Sequence, residues 1–228
     1  DAAGDHPDAV TENLRRFEAA LGVRPVFLRQ VHKTAVVNLD DDTPDLPTAD
    51  AAVTTRTDVA CTVMVADCLP VLFTDRQGRA VAAAHAGWRG LAAGVLEVTV
   101  QALCRCAECA PSEVLAWLGP CIGPEAFEVG ADVREAFSDA DSRRFVSVSR
   151  PAVNAQFHGA DNATVSDSAS PPKWWADLAG LAQDRLAQAG VRSITPSGLC
   201  TVSDPSRFFS FRRDGLTGRM AASIWRRG

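Results

Sequence analysis

Tyrosine is absent from the 228-residue chain, histidine occurs four times and methionine twice. The missing tyrosine accompanies plentiful alanine and arginine, and we read it as compositional bias without functional meaning. No apolar run approaches the roughly 20 residues of a membrane span, which excludes a transmembrane helix. A basic excess is also lacking. Lys and Arg total 23 against 28 Asp and Glu, a formal net charge of −5, whereas a nucleic-acid partner would favour a basic surface. No signal peptide precedes the fold, and the first residue is Asp1 rather than Met, so an upstream segment is expected to be missing. Seven cysteines, an odd number in a chain too long to need disulfide staples, point to reduced thiols and a cytoplasmic location.

With 46% hydrophobic and 22% charged residues, the composition is that of a soluble globular protein. Residues 8–21 carry Val10, Leu14, Phe17 and Leu21 at helical spacing, and Gly22 is a suitable stop. PVFLRQVHKTAVVNL (25–39) reads as strand broken near His32, and DDDTPDLPTAD (40–50) as a loop. AAVTT (51–55), VACTVMVADCLPVLFTD (59–75) and AVAAAHAG (80–87) follow as strands. Polar residues hardly alternate in two of them, so burial on both faces is expected. Leu91, Val95, Val98 and Leu103 predict a helix beginning just after Gly87. VLAWLGPCIG (114–123) is an apolar strand entering a Gly/Pro loop, and ADVREAFSDA (131–140) is a short helix. Residues 150–172 read as an irregular excursion. Trp174, Leu178, Leu181 and Leu186 predict a helix over 173–191, and RFFSFRRDG (207–215) is strand-like. No internal repeat or linker divides residues 1–228, so one mixed α/β domain is the economical reading.

His6 and His158 fall in polar stretches and read as surface residues, while His32 and His85 close strand-like runs. Cys68 of VADCLP occupies the same kind of position, and strand ends deliver side chains to a common edge. Two imidazoles and a thiolate suit zinc, which takes N and S ligands tetrahedrally; three protein ligands leave a fourth position for water. The bland alternative is two core histidines and an inert buried cysteine, and no short zinc motif has so wide a spacing. After His85, Gly87 and Gly90 permit close backbone approach, and Arg89 offers donors for phosphate or carboxylate beside a helix N-terminus; a plain tight turn with a solvated arginine fits equally. CRCAEC (104–109) has a CxCxxC spacing that can bind metal, but lacks an obvious fourth ligand. Cys121 can line a pocket, and Cys61 belongs in the core. Ser210 and Arg212 would share one strand face, leaving Arg213 to face solvent or pair with Asp214.

QVH (30–32), ADCLP (66–70), HAGWRG (85–90), LGPCIGP (118–124) and FFSFRRDGLTGRMAASIW (208–225) together resemble the YfiH-like, laccase-domain family in order and interval, over nearly the whole chain. That resemblance implies a single-domain α+β fold, an αββα sandwich with mixed β-sheets flanked by helices, similar to the catalytic domain of cytotoxic necrotizing factor toxins. It implies zinc held by His32, Cys68 and His85. The implied activity is phosphorolysis of adenosine, inosine, guanosine and methylthioadenosine, with adenosine deamination. Family members usually carry an upstream segment with an Arg/Ser/Gly motif, and the sequence here starts near the GD that follows it; CRCAEC is not part of the family pattern.

On this reading Arg89, the adjoining N–H groups and Arg212 hold phosphate, with Cys121 and Ser210 lining the substrate site. Asp67 supports a neighbouring ligand or transfers a proton, provided the chain bends, since Asp67 and Cys68 face opposite ways along a regular strand. The family is also labelled polyphenol oxidase. Four histidines cannot supply a trinuclear copper cluster, although a single N/S site can take copper in place of zinc. A non-catalytic protein stapled by zinc is a further alternative, disfavoured because structural zinc is usually closed by four protein ligands.

Overall fold

The computed structural model describes residues 4–148 and 171–227. Its elements run α1 (Pro7–Leu21), β1 (Arg24–Val26), β2 (Val36–Asn38), β3 (Ala51–Thr54), β4 (Val59–Val65), β5 (Leu69–Asp75), β6 (Val81–Ala86), α2 (Trp88–Ala93) and α3 (Val95–Ala107). They continue with β7 (Val114–Leu118), β8 (Glu128–Val129), α4 (Ala131–Glu135), β9 (Phe145–Ser147), β10 (Trp174–Ala176), α5 (Leu178–Gln188), β11 (Ser193–Pro196), α6 (Phe211–Asp214) and β12 (Met220–Ile224).

The central mixed sheet has the order β11-β7-β5-β6-β3-β2, with β11–β7 and β2–β3 parallel and the other pairs antiparallel. A second mixed sheet, β1-β4-β12, lies against it, with β4 over β3, β5 and β6. The helix α1 packs on β1, and α3 covers the opposite face of the central sheet with α5 beside it. The layers are therefore α, β, β, α, as the family resemblance implies. A small antiparallel sheet, β8-β10-β9, adds to the helical side. No described helix is long and apolar enough to cross a membrane.

Alternation along the strands explains why so few polar residues interrupt them. In β6, Ala82, Ala84 and Ala86 join the core beneath α3, while Val81 and Ala83 join the core between the two sheets. In β5, Leu69, Val71 and Phe73 face the helical layer and Leu72 faces the second sheet. Side chains alternate with period two, so a strand sandwiched between layers must be apolar on both faces. His85 has the parity of Val81 and Ala83, which points it to the sheet-to-sheet side, and it pairs across from Pro70.

Helix α1 ends at Gly22 (φ 72°), as its sequence predicts. Three expectations need correction. The helix after Gly87 is broken in two by Gly94 at φ 98°, so α2 and α3 are separate. The region 173–191 is not helical from its start: Trp174 and Trp175 pair with β8 and β9, and α5 begins only where the Asp177 carboxylate caps it by accepting from Gly180 N at 2.8 Å. The stretch 207–215 is no strand. Ser210 caps α6, its Oγ accepting from Arg213 N at 3.2 Å, so Ser210 and Arg212 do not alternate on one face. His158 and the irregular stretch read over 150–172 lie outside the described residues, apart from Pro171 and Pro172.

Candidate metal centre

The loop between β1 and β2, the turn before β5 and the end of β6 meet at one edge of the two sheets. Each contributes one donor. His32, Cys68 and His85 offer ligand atoms that all lie within 4.8 Å of one another. The rings of His32 and His85 meet edge to face with centroids 4.7 Å apart, and Cys68 Sγ lies 3.9 Å from His32 Nε2. His85 is buried, Cys68 half-buried and His32 exposed, so the cluster is seated in the protein on one side and reachable from the other.

Asp50, which the sequence places at the end of an acidic loop, organises this arrangement. Its fully buried carboxylate accepts from the successive backbone N–H groups of Val31, His32 and Lys33 at 2.8–3.2 Å. It also lies 2.9 Å from His85 Nδ1, and its carbonyl accepts from His85 N at 2.7 Å. The three N–H groups hold His32 in a left-handed conformation (φ 58°), which turns its imidazole into the cluster. The bond to Nδ1 leaves His85 Nε2 free to act as the ligand atom. Burial alone would raise the Asp50 pKa, but the hydrogen bonds from His85 and the three amides bring it below its usual value.

Glycines seat the third partner. A Cβ on Gly87 would lie 2.8 Å from His32 Cδ2 and 3.0 Å from Cys68 Sγ, and one on Gly90 would lie 3.1 Å from the Lys33 carbonyl. The HAGWRG element is therefore glycine-rich because the His32 loop packs directly on it.

The electrostatics favour a thiolate. Burial pushes the Cys68 thiol up, yet hydrogen bonds from His32 and His85 and their charges bring it down to about 6. Burial pushes His85 down, while Asp50 and the Cys68 sulfur raise it to about 9. A soft sulfur donor and two imidazole nitrogens fit zinc or another late transition metal. No fourth His, Cys, Asp or Glu joins the cluster among the described residues. Cys121 is buried nearby, and burial raises its thiol to about 12, which keeps it protonated.

Asp67 takes the bend that its sequence position demands, with φ 89°. It is not among the three converging donors, and it clasps the C-terminal segment. Its carboxylate accepts from Thr201 Oγ1 (2.5 Å), Ser210 Oγ (3.0 Å) and Arg212 N (2.6 Å). The Arg212 guanidinium donates to the carbonyls of Glu128 (3.0 Å) and Ala126 (3.4 Å) and lies over Phe127. Arg213 pairs with Asp214 and bonds three carbonyls of the same segment. The exposed Arg89 stacks over Trp88 at 4.2 Å. His6 is exposed and caps α1. The three thiols of CRCAEC do not converge: Cys104 and Cys109 touch, but Cys106 faces Asn38.

With this geometry in view, comparison with known proteins is informative. A family described as multi-copper polyphenol oxidoreductase laccase matches residues 1–227. The chain belongs to this family. It is 46% identical over 224 residues to purine nucleoside phosphorylase YfiH of Escherichia coli, covering 97% of this chain and 83% of that protein. It is 40% identical over 227 residues to a purine nucleoside phosphorylase of Haemophilus influenzae, covering 99% and 84%. The crystal structure of Neisseria meningitidis protein NMB0706 superposes with a TM-score of 0.84 at 42% identity, covering 99% of this chain and 84% of that one. YlmD of Geobacillus stearothermophilus gives 0.82 at 28% identity, covering 99% and 83%. Both share the layered α+β architecture.

Proposed function

We propose that this protein is a zinc-dependent purine nucleoside phosphorylase, with zinc held by His32, Cys68 and His85. The convergence of those donors at an edge reachable from solvent carries the reading. The names of relatives at 46% and 40% identity supply the reaction class. When bound, zinc supplies a Lewis acid that polarises an oxygen of phosphate or water.

The chain's own residues define the rest. Asp50 fixes His32 and His85 and keeps Nδ1 of His85 engaged. Cys68 brings negative charge to the donor set. Arg89 lies two residues beyond Gly87 and offers its guanidinium to phosphate. Asp67 acts by positioning: it ties the turn carrying Cys68 to Thr201, Ser210 and Arg212. In phosphorolysis a phosphate oxygen bonds C1′ of the ribose, the C1′–N9 bond breaks, and the purine departs with a proton. Adenosine, inosine, guanosine and methylthioadenosine are the substrates. Adenosine deamination is the companion reaction, in which water replaces the 6-amino group and ammonia leaves.

The family's laccase description supports a second reading, with copper in the same donor set. The chain's four histidines, of which His6 caps a helix, leave that reading at a single copper centre. Metal analysis of protein grown without added copper, followed by base release from inosine and adenosine with and without phosphate, tests both. Phosphate-dependent release by zinc protein, lost in Cys68→Ser and His85→Ala, is expected. No release from protein carrying stoichiometric zinc overturns the proposal.

A further inference from the structure

Cys104 and Cys109 lie far from the donors described above. Helix α3 ends at Ala107, and Glu108 takes a left-handed conformation (φ 49°). That turn folds the chain back so that Cys109 N donates to the Cys104 carbonyl at 3.1 Å, a Schellman clasp. The position across such a clasp is commonly filled by an apolar contact; here it is filled by two thiols, with Sγ atoms 3.9 Å apart. Both residues are half-buried against the helical core, so they are packed but reachable. Cys106, two residues along the helix, points elsewhere and meets Asn38 Oδ1 at 3.9 Å. The CxCxxC pattern is thus a dithiol plus a separate thiol.

We propose that Cys104 and Cys109 are a reversible dithiol–disulfide couple, a thiol-exchange site independent of Cys68. The backbone clasp already holds the two residues together, so shortening 3.9 Å to the roughly 2.0 Å of a disulfide requires side-chain rotation. The oxidant is a low-molecular-weight disulfide such as oxidised glutathione. The thiolate of Cys109 attacks one of its sulfurs, the S–S bond breaks, and one small thiol leaves with a proton. Cys104, deprotonated in turn, attacks the Cys109 sulfur of the mixed disulfide and releases the second small thiol. Two electrons pass to the reagent, and both protein protons end on the released thiols. Burial raises the Cys104 thiol, and because the two half-buried sulfurs touch, the exchange balances in the same way whichever of them attacks first. Asp75 ends β5 and Cys68 precedes it, so the couple sits at the opposite end of a seven-residue strand, about 20 Å from the metal donors.

Arg105 lies between the two cysteines and makes the test specific. The full chain is treated with oxidised glutathione, unfolded at mildly acidic pH in the presence of N-ethylmaleimide so that its remaining thiols are alkylated, and cut with trypsin. A Cys104–Cys109 bond links peptide 90–105 to peptide 106–134; a Cys106–Cys109 bond stays within 106–134. The expected product is the linked pair, with Cys106 and Cys121 alkylated, reversed by dithiothreitol, and with the metal content of the protein unchanged. Cys104→Ser should stop at the mixed disulfide on Cys109, and Cys106→Ser should leave the yield of linked peptide unchanged. A persistent glutathione adduct on wild-type Cys109, a bond to Cys106, or no oxidation under conditions that oxidise the unfolded chain overturns the proposal.

Discussion

The Asp50 carboxylate lies 2.9 Å from His85 Nδ1 and, through three backbone amides, also fixes the loop that carries His32. One buried anion thus orients two of the three donors. Asp50→Asn keeps the shape but loses the charge and turns an amide N–H toward groups that also donate. We expect zinc affinity to fall about 10- to 100-fold, read by competition with a chromophoric chelator. Unchanged affinity would show that the loop holds without the anion.

Gly87 is constrained by contact, since its φ of −65° suits any residue. Gly87→Ala places a methyl group 2.8 Å from His32 Cδ2 and 3.0 Å from Cys68 Sγ. Overpacking of this kind costs about 1–3 kcal/mol, and the atoms that must move belong to the candidate ligand side chains His32 and Cys68. The variant should fold and lose zinc occupancy at metal concentrations that saturate the parent. Gly78→Ala, whose Cβ meets nothing within 4 Å but whose φ of 66° strains alanine, is a control for glycine replacement without contact with the donors.

The buried strands can be read from local signals, whereas the αββα layering and the grouping of His32, Cys68 and His85 follow only from the family resemblance, because no short zinc motif has so wide a spacing. The runs in β4, β5 and β6 lack polar alternation, and each donor stands inside a distinctive motif, although only His85 ends a strand: His32 lies in the loop after β1 and Cys68 in the turn before β5. Asp50 is not legible in the sequence because its loop also holds Asp40, Asp41, Asp42 and Asp45, all exposed, and composition cannot tell a buried acid from solvated ones. Its one signal is position: it directly precedes the apolar β3. The strand expected at Ser210 and the helix expected at Trp174 fail for a related reason. A one-turn helix is too short to show a period, and a tryptophan pair continues a helical pattern as readily as it forms a strand. Tertiary partners decided both: Asp67 for Ser210, and β8 with β9 for Trp174.

Asp67 distinguishes a clasp from a proton carrier. Asp67→Ala removes the acceptor for two buried hydroxyls and the Arg212 amide, at a cost of about 1–3 kcal/mol for each group left unsatisfied, less than additively. It should loosen residues 201–214 and speed native-state trypsin cleavage at Arg207, Arg212 and Arg213, while zinc affinity falls much less than in Asp50→Asn. If Asp67 instead carried a proton, Asp67→Asn would abolish turnover with no change in cleavage rate.

Asp184 anchors α5 by accepting from Arg144 at 2.8 and 2.9 Å, with Arg143 Nη2 at 2.8 Å, while Arg144 also reaches Asp177, the cap of the same helix. The Arg144 and Arg143 guanidinium groups outweigh burial and bring the Asp184 carboxyl down to about 2. An unfolded aspartate titrates near about 3.9. The native state therefore gains stability above about pH 4 that is lost as pH falls toward 2, because the unfolded chain takes up the proton first. The gain is about 1–2 kcal/mol, allowing for solvent screening of partly exposed arginines. Urea unfolding of the parent and of Asp184→Asn at several pH values should show a gap that is widest near neutrality and shrinks below pH 4. Because this pair lies on the helical side, the same pH-dependent gap should persist after zinc is removed by a chelator. A gap independent of pH would assign the loss to packing instead of charge.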